Sequence, residues 1–191
     1  MRDIIKFGCI LMAYTLVVSV ALAFVNIKTT PLIEVNKVAA ENFARKEVLP
    51  GMSGDYELRG EGSEFPYWIV YKDAEKSEIG GYIFITSGEG YSSTIETMIG
   101  VDVNATITGV KILFQQEIPG LGAKAEEIIH GENDPWFTRQ FKGKSFGDNI
   151  KVEKDGGTID SITGATITSR AITDYISEGL TKLNNIMGGR I

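Results

Sequence analysis

The strongest constraint on this chain is an uncharged, apolar run over residues 7–27, near the N-terminus. A helix of these 21 residues rises about 31 Å at ~1.5 Å per residue, close to the ~30 Å hydrocarbon core of a bilayer. The run therefore predicts a transmembrane anchor at residues 1–28. Arg2 and Lys6 precede it, so the positive-inside rule places the N-terminus in the cytoplasm and the rest of the chain outside it.

A cleaved signal peptide is the alternative to an anchor. Residues 21–23 resemble a signal-peptidase site, and residues 7–20 have the length of a signal-peptide apolar region. The chain remains apolar through Phe24 and Val25, which favours an anchor that is retained. The expected location is the cell (inner) membrane, crossed once. We expect Cys9 to be a buried residue of this helix.

The charge of the chain disfavours one class of partner. The formal net charge is −6. Arg2, Asp3 and Lys6 are the only charged residues before Lys28 and together contribute +1, so the exported part carries −7. Because nucleic acids select basic surfaces, we expect no nucleic-acid partner.

The scarcity of thiol and imidazole groups excludes further classes. Cys9 and His130 are the only cysteine and histidine. Internal disulfides, haem attachment, Fe–S clusters and zinc sites therefore lack ligands, and we expect no metal site. His130 lies in a stretch rich in Gly, Asn and Asp, which predicts a surface loop rather than a catalytic base. Redox chemistry in this chain would need a flavin or a quinone.

The pattern after the anchor predicts a connecting helix at residues 29–50 and one extracytoplasmic domain at residues 51–191. Pro31 can open the helix, and apolar residues recur at helical spacing until Pro50. Runs rich in β-branched and aromatic residues then predict antiparallel strands at residues 67–71, 81–86, 95–103 and 107–114. Asn104 and Ala105 predict a tight turn between the last two strands.

The remainder of the chain predicts helices. Residues 123–129 fit a short helix, and a final helix presents one apolar face before it ends at Gly188 and Gly189. That face comprises Ile172, Tyr175, Ile176, Leu180, Leu183 and Met187. Three aromatic residues, Trp136, Phe137 and Phe141, predict a core cluster. The expected fold class is α+β, a mostly antiparallel sheet with flanking helices, preceded by one transmembrane helix.

The segment before the final helix is the first candidate site. It contains several hydroxyl residues and a glycine directly before a predicted helix N-terminus, where free N–H groups and the helix dipole favour a phosphate. Its sequence runs Asp160-Ser161-Ile162-Thr163-Gly164-Ala165-Thr166, followed by Thr168 and Ser169. Ordinary capping of the helix by a hydroxyl group is the alternative.

This segment resembles the flavinylation motif D-x-x-[ST]-G-A-[ST] of the FMN-binding domain family, in which a flavin transferase joins FMN to the last hydroxyl residue. Every fixed position matches: Asp160, Thr163, Gly164, Ala165 and Thr166. The resemblance implies a covalent FMN, attached by a phosphoester to Thr166.

A second candidate site lies in the loop after the fourth predicted strand, which reads EIPGLGAK. Its Gly-x-Gly pattern mimics a dinucleotide-binding fingerprint, but no βαβ series surrounds it. With Gly90-Tyr91-Ser92, the loop resembles the G subunits of Rnf-type ion-translocating ferredoxin–NAD oxidoreductases and the homologous C subunits of sodium-translocating NADH–quinone oxidoreductases. The resemblance implies that the loop faces the isoalloxazine ring through Glu117, Pro119, Gly120, Leu121, Gly122 and Lys124.

The two resemblances together imply an electron-transfer subunit that carries one FMN within a membrane translocase and has no catalytic residue of its own. The implied partners are the other subunits of the complex, a flavin transferase and the membrane. The alternatives are a stand-alone exported FMN domain that senses or feeds another reductase, and an anchored binding module without flavin.

Overall fold

The computed structural model describes residues 2–52, 55–73 and 75–188. The chain divides into two compact units, residues 1–41 and residues 42–191. The first unit is formed by helix α1, Arg2–Val48, whose last residues belong to the second unit. Helix α1 is long and apolar enough to cross a membrane, and its most apolar segment is not buried within the protein.

Two expectations about this helix are wrong. Pro31 lies inside α1 instead of opening a new helix. Near the proline, the hydroxyls of Thr29 and Thr30 donate to the carbonyls of Val25 and Asn26 at 3.0 and 2.8 Å, a local side-chain hydrogen bond of the kind that threonine makes within helices. Cys9 is exposed, not buried, because it lies in an apolar segment that the described residues leave unburied.

The second unit is built on one antiparallel sheet, and the expected α+β class is confirmed. Its five strands follow chain order: β1 Tyr56–Arg59, β2 Tyr67–Tyr71, β3 Ile79–Glu89, β4 Thr94–Asp102 and β5 Ile107–Phe114. Sequence patterning missed β1, because the strand has only four residues and none of them is buried. It also ended β3 too early, at residue 86, where polar residues continue the pairing with β4.

The predicted turn between β4 and β5 is confirmed. Ala105 adopts a left-handed conformation at φ 54°. The carboxylate of Asp102 holds the turn by accepting hydrogen bonds from the N–H groups of Asn104 and Thr106, both at 2.8 Å.

The last helix covers one face of the sheet. Helix α3, Thr166–Ile186, packs Ile172, Ile176, Leu180 and Leu183 against that face, as its spacing predicts. The helix ends before Gly188, at φ 70°, while Gly189 lies outside the described residues. The remaining predicted face residues, Tyr175 and Met187, are only half-buried.

Short elements complete this core. Phe137 and Phe141 are buried with ring centroids 5.8 Å apart, and Trp136 packs beside them at the start of α2, Trp136–Arg139. The helix expected at residues 123–129 is instead a first 3₁₀ helix, Gly122–Glu126. A second 3₁₀ helix spans Glu153–Asp155. His130 is exposed in a turn, as expected.

The end of α1 covers the opposite face of the sheet. Val48 packs there with Ile83 and Met98. Gly100 and Gly109 are paired across β4 and β5, directly beneath the Val48 backbone. The hydroxyl of Thr108 donates to the Val48 carbonyl at 2.5 Å, which fixes the helix end. The absence of side chains on this glycine pair lets helix and sheet backbones touch.

We expect Gly109→Ala to destabilise the second unit, because its Cβ would lie 2.8 Å from the Cα of Val48. The loss should be about 1–3 kcal/mol, typical of overpacking. Denaturant unfolding of the full chain in detergent measures it. Gly147→Ala is the control, since a Cβ there meets nothing within 4 Å. Equal stability of the two variants would contradict the close packing.

Candidate functional site

One buried carboxylate joins three parts of the second unit. Glu117 is 5% exposed and lies just after β5. It accepts hydrogen bonds from the N–H groups of Tyr91, Ser92 and Ser93 at 3.3, 2.9 and 3.1 Å. It also accepts one from the hydroxyl of Thr168 at 2.5 Å. The carboxylate therefore ties the β3–β4 connection and the first turn of α3 to the loop that follows β5.

These hydrogen bonds determine the charge of Glu117. Burial alone raises the pKa of this carboxyl group, because it penalises the charged form. Hydrogen bonds from Thr168, Ser92, Ser93 and Tyr91 outweigh that effect and lower the pKa below its usual range. The group is therefore a fixed negative charge at neutral pH.

The loop that follows β5 is shaped by this carboxylate. Gln115 accepts a hydrogen bond from the Glu117 N–H at 2.7 Å and donates to Glu126 at 2.8 Å. A Cβ at Gly122 would lie 2.6 Å from a carboxylate oxygen of Glu117 and 2.7 Å from the hydroxyl of Thr168. Glycine is therefore required at position 122 for close approach, and the Gly-x-Gly pattern has a local explanation that involves no dinucleotide.

The segment at residues 160–166 leaves the start of α3 open. Gly164 has φ 80°, and Ala165, the N-cap, makes no side-chain capping hydrogen bond. Ser169 turns its hydroxyl inward, accepting from the Ile162 N–H and donating to the Ala165 carbonyl, both at 2.9 Å. Capping by a hydroxyl group, the alternative left open by the sequence, is not what the structure has. The first N–H groups of α3 remain available to a ligand.

A cavity of about 400 Å³ lies between these segments. Seven of the residues predicted from the sequence line it: Glu117, Leu121, Gly122, Gly164, Ala165, Thr166 and Thr168. Four further lining residues were not predicted as site residues: Tyr91, Ile118, Lys154 and Ile167. This volume falls within the roughly 300–1,000 Å³ of small-molecule sites.

The other predicted residues do not line the cavity. Pro119, Gly120 and Lys124 lie in or just after the loop, outside the cavity wall, and Gly120 turns the chain at φ 79°. Thr163 is exposed, and the backbone of Asp160 is held by the side-chain amide of Gln140 at 2.7 and 3.2 Å. With Ser169, these last residues shape the walls rather than face the cavity.

Comparison with known proteins identifies the family. The FMN-binding domain family matches residues 90–181. The G subunit of the Na⁺-translocating ferredoxin:NAD⁺ oxidoreductase complex of Acetobacterium woodii is 32% identical over 203 residues, and the match covers 97% of this chain and 94% of that protein. The chain belongs to the family of G subunits of ion-translocating oxidoreductase complexes. The G subunit of the ion-translocating oxidoreductase complex of Shewanella amazonensis is 31% identical, over 94% of this chain and 87% of its own length.

Two solved structures are also similar. The C subunit of the Na⁺-translocating NADH–quinone reductase of Parabacteroides distasonis has a TM-score of 0.48 and 27% identity, over 61% of this chain and 59% of that one. NqrC of Shewanella oneidensis has a TM-score of 0.49 and 22% identity, over 65% of this chain and 61% of its own.

The residues of the cavity fit FMN, an amphipathic molecule with a flat ring system and an anionic phosphate. Ile118, Leu121 and Ile167 supply apolar surface. The open N–H groups at the start of α3 suit the phosphate. The ammonium group of Lys154 lies beside them and donates to the Thr166 hydroxyl at 2.9 Å. Within the described ranges, no cluster of three or more His, Cys, Asp or Glu side chains is placed to hold a metal ion.

We expect Glu117→Gln to lower the free energy of unfolding by about 1–3 kcal/mol at pH 7. The side-chain NH₂ group of glutamine would face the N–H groups of residues 91–93, which are also donors, so hydrogen bonds would be lost. The folded-state pKa of Glu117 is lowered, so its contribution is complete above the unfolded pKa of about 4.3. That contribution is lost as pH falls through the folded pKa. Denaturant unfolding from pH 7 to pH 3 should therefore show the difference from wild type shrinking.

The control for this prediction is Glu61→Gln, because Glu61 is exposed in a turn. Its stability should stay within about 0.5 kcal/mol of wild type at every pH. A difference between Glu117→Gln and wild type that grows on acidification would contradict the role given to the carboxylate.

Proposed function

We propose that this protein is the one-flavin electron carrier of a membrane ion-translocating ferredoxin–NAD oxidoreductase complex, with FMN joined to Thr166 by a phosphoester. The observation that carries the proposal is the position of the Thr166 hydroxyl. Thr166 is the first residue of α3, it lines the FMN-sized cavity, and its helix start has no side-chain cap. A phosphate esterified there would be stabilised by the open N–H groups at the start of α3.

The attachment step requires an activated donor and a separate flavin transferase. The Thr166 oxygen would form a bond to the phosphorus of a flavin phosphoanhydride while the anhydride P–O bond breaks. The departing phosphate takes the bonding electron pair, and the hydroxyl proton passes to a base on the transferase. Thr166 is half-buried at the cavity, so its hydroxyl is open to such an enzyme.

Electron transfer follows from what the cavity provides. Bound FMN accepts and donates electrons, and the protein contributes position, water exclusion and nearby charge. The apolar side chains of Ile118 and Leu121 exclude water from one wall. The fixed charge of Glu117 lies at the same cavity and disfavours extra negative charge on a reduced flavin. We infer that these groups set the environment of the isoalloxazine ring, while Pro119, Gly120 and Lys124 act only by shaping the loop that carries them.

The anchor and the partners complete the proposal. The similarity to the A. woodii protein extends over 97% of this chain, including the apolar helix, which favours a member of a complex over a stand-alone FMN domain. We infer a single pass through the cell (inner) membrane, with Arg2 and Lys6 on the cytoplasmic side and the FMN domain outside. Ion translocation belongs to the assembled complex, with ferredoxin as donor and NAD⁺ as acceptor.

Thr166→Val should abolish covalent flavin when the chain is coexpressed with a flavin transferase, because the acceptor oxygen is gone. Thr166→Ser should retain it, since a hydroxyl remains. Intact mass and flavin fluorescence on a denaturing gel are the measurements. Thr181→Val is the matched control, since Thr181 is an exposed threonine of the same helix that lies outside the motif and does not line the cavity. Flavin that persists on Thr166→Val would overturn the attachment site.

Membrane orientation can be tested with single cysteines in a Cys9→Ala background, because Cys9 is the only native cysteine. We expect Glu61→Cys to react with a membrane-impermeant maleimide in intact spheroplasts, since Glu61 is exposed in the second unit. Asp3→Cys should react only after permeabilisation. The reverse labelling pattern would place the FMN domain in the cytoplasm.

A further inference from the structure

A lysine that sequence patterning did not single out lies against the attachment residue. Lys154 belongs to the second 3₁₀ helix, Glu153–Asp155, and lines the same cavity as Thr166. Its ammonium group donates a hydrogen bond to the Thr166 hydroxyl at 2.9 Å. The two residues are 12 positions apart in sequence, so their contact depends on how the 3₁₀ helix is held.

An adjacent ion pair holds the 3₁₀ helix in this position. The guanidinium of Arg170 binds both carboxylate oxygens of Asp155, at 2.6 and 2.7 Å. Thr166 and Arg170 are four residues apart on α3 and therefore share one face of the helix. Two consecutive residues of the 3₁₀ helix therefore contact the same face of α3: Lys154 contacts Thr166, and Asp155 contacts Arg170. The bidentate ion pair between Arg170 and Asp155 fixes the position of the 3₁₀ helix against α3. This position places Lys154 beside Thr166.

The positive charge of Lys154 is not neutralised by an acidic partner. Among the residues that the structure describes, no carboxylate lies within ion-pair distance of its ammonium group. Other lysines do have such partners, for example Lys111 with Glu47 at 2.8 Å and Lys182 with Glu178 at 2.9 Å. Arg170 is already occupied by Asp155. Lys154 is therefore a cation at the attachment residue that remains available to an anion.

We propose that Lys154 binds the flavin phosphate, both before the ester forms and afterwards, when it pairs with a non-bridging phosphate oxygen on Thr166. This inference rests on the proposed FMN function. An ammonium group suits the task, because a point charge with three donors follows the phosphate as its geometry changes on esterification. Asp155 and Arg170 act as positioning residues, since they hold the lysine without facing the phosphate.

The first test uses binding without a covalent bond. The full chain is purified in detergent from a host that lacks a flavin transferase, and its affinities for FMN and riboflavin are measured. Only FMN carries a phosphate, so wild type should prefer FMN. In Lys154→Gln this preference should fall about tenfold, the size expected for a charge-assisted hydrogen bond. Lys154→Arg keeps the charge and should retain most of the preference.

The chain offers a closely matched control. Lys144 donates to the hydroxyl of Thr158 at 2.8 Å, which reproduces the Lys154–Thr166 contact away from the cavity. Lys144→Gln removes the same charge from the same kind of hydrogen bond. Its ratio of FMN to riboflavin affinity should equal that of wild type. A loss of preference in Lys144→Gln equal to that in Lys154→Gln would reduce the effect to overall charge and overturn the proposal.

The second test follows covalent attachment. With a flavin transferase present, Lys154→Gln should acquire FMN about tenfold more slowly than wild type by intact mass, while Lys144→Gln should match wild type. Unchanged phosphate preference and unchanged loading in Lys154→Gln would overturn the role of the lysine. A wild-type chain that never gains covalent flavin would instead refute attachment at Thr166, and the binding test would still decide for or against Lys154.

Discussion

The buried carboxylate of Glu117 is the interaction on which the rest of the site depends. A single charge at 5% exposure is tolerated because donors from two distant segments converge on it. The same hydrogen bonds join the β3–β4 connection to the first turn of α3. Without these hydrogen bonds, the carboxylate would no longer hold the segments that form the cavity walls together. Glycine at position 122 follows directly, since any side chain there would displace the carboxylate.

The sheet supports this arrangement by being covered on both faces. Helix α3 packs on one face and the end of α1 on the other, where Gly100 and Gly109 let the backbone of Val48 touch the sheet. The strands that carry the β3–β4 connection and the loop with Glu117 therefore sit in a rigid layer. Sites built on rigid elements hold their geometry better than sites on free loops.

Sequence reasoning recovered what local patterns encode and missed what only packing decides. The face of α3 around Ile176, and the turn at Ala105, follow from spacing and turn chemistry. The strand β1 was missed because it is only four residues long and has no buried residue. The helix α1 passes through Pro31 although proline usually marks a helix start. Thr166 and Glu117 were found by resemblance to a family. Lys154 was not, since no spacing rule links residues that only tertiary structure brings together.

The walls of the cavity come from widely separated parts of the chain, which sets an order of events. Tyr91 lies before β4, the loop with Glu117 follows β5, and Thr166 begins the last helix that the structure describes. A nascent chain that has formed only the sheet has the walls built by the β3–β4 connection and by the loop after β5. It lacks the start of α3, where the proposed phosphate would bind. The pocket comes into existence when α3 docks, because Thr168 then reaches the carboxylate. For the proposed attachment at Thr166, loading of FMN would therefore be a maturation step that acts on a finished fold, and a chain arrested before α3 forms would be colourless.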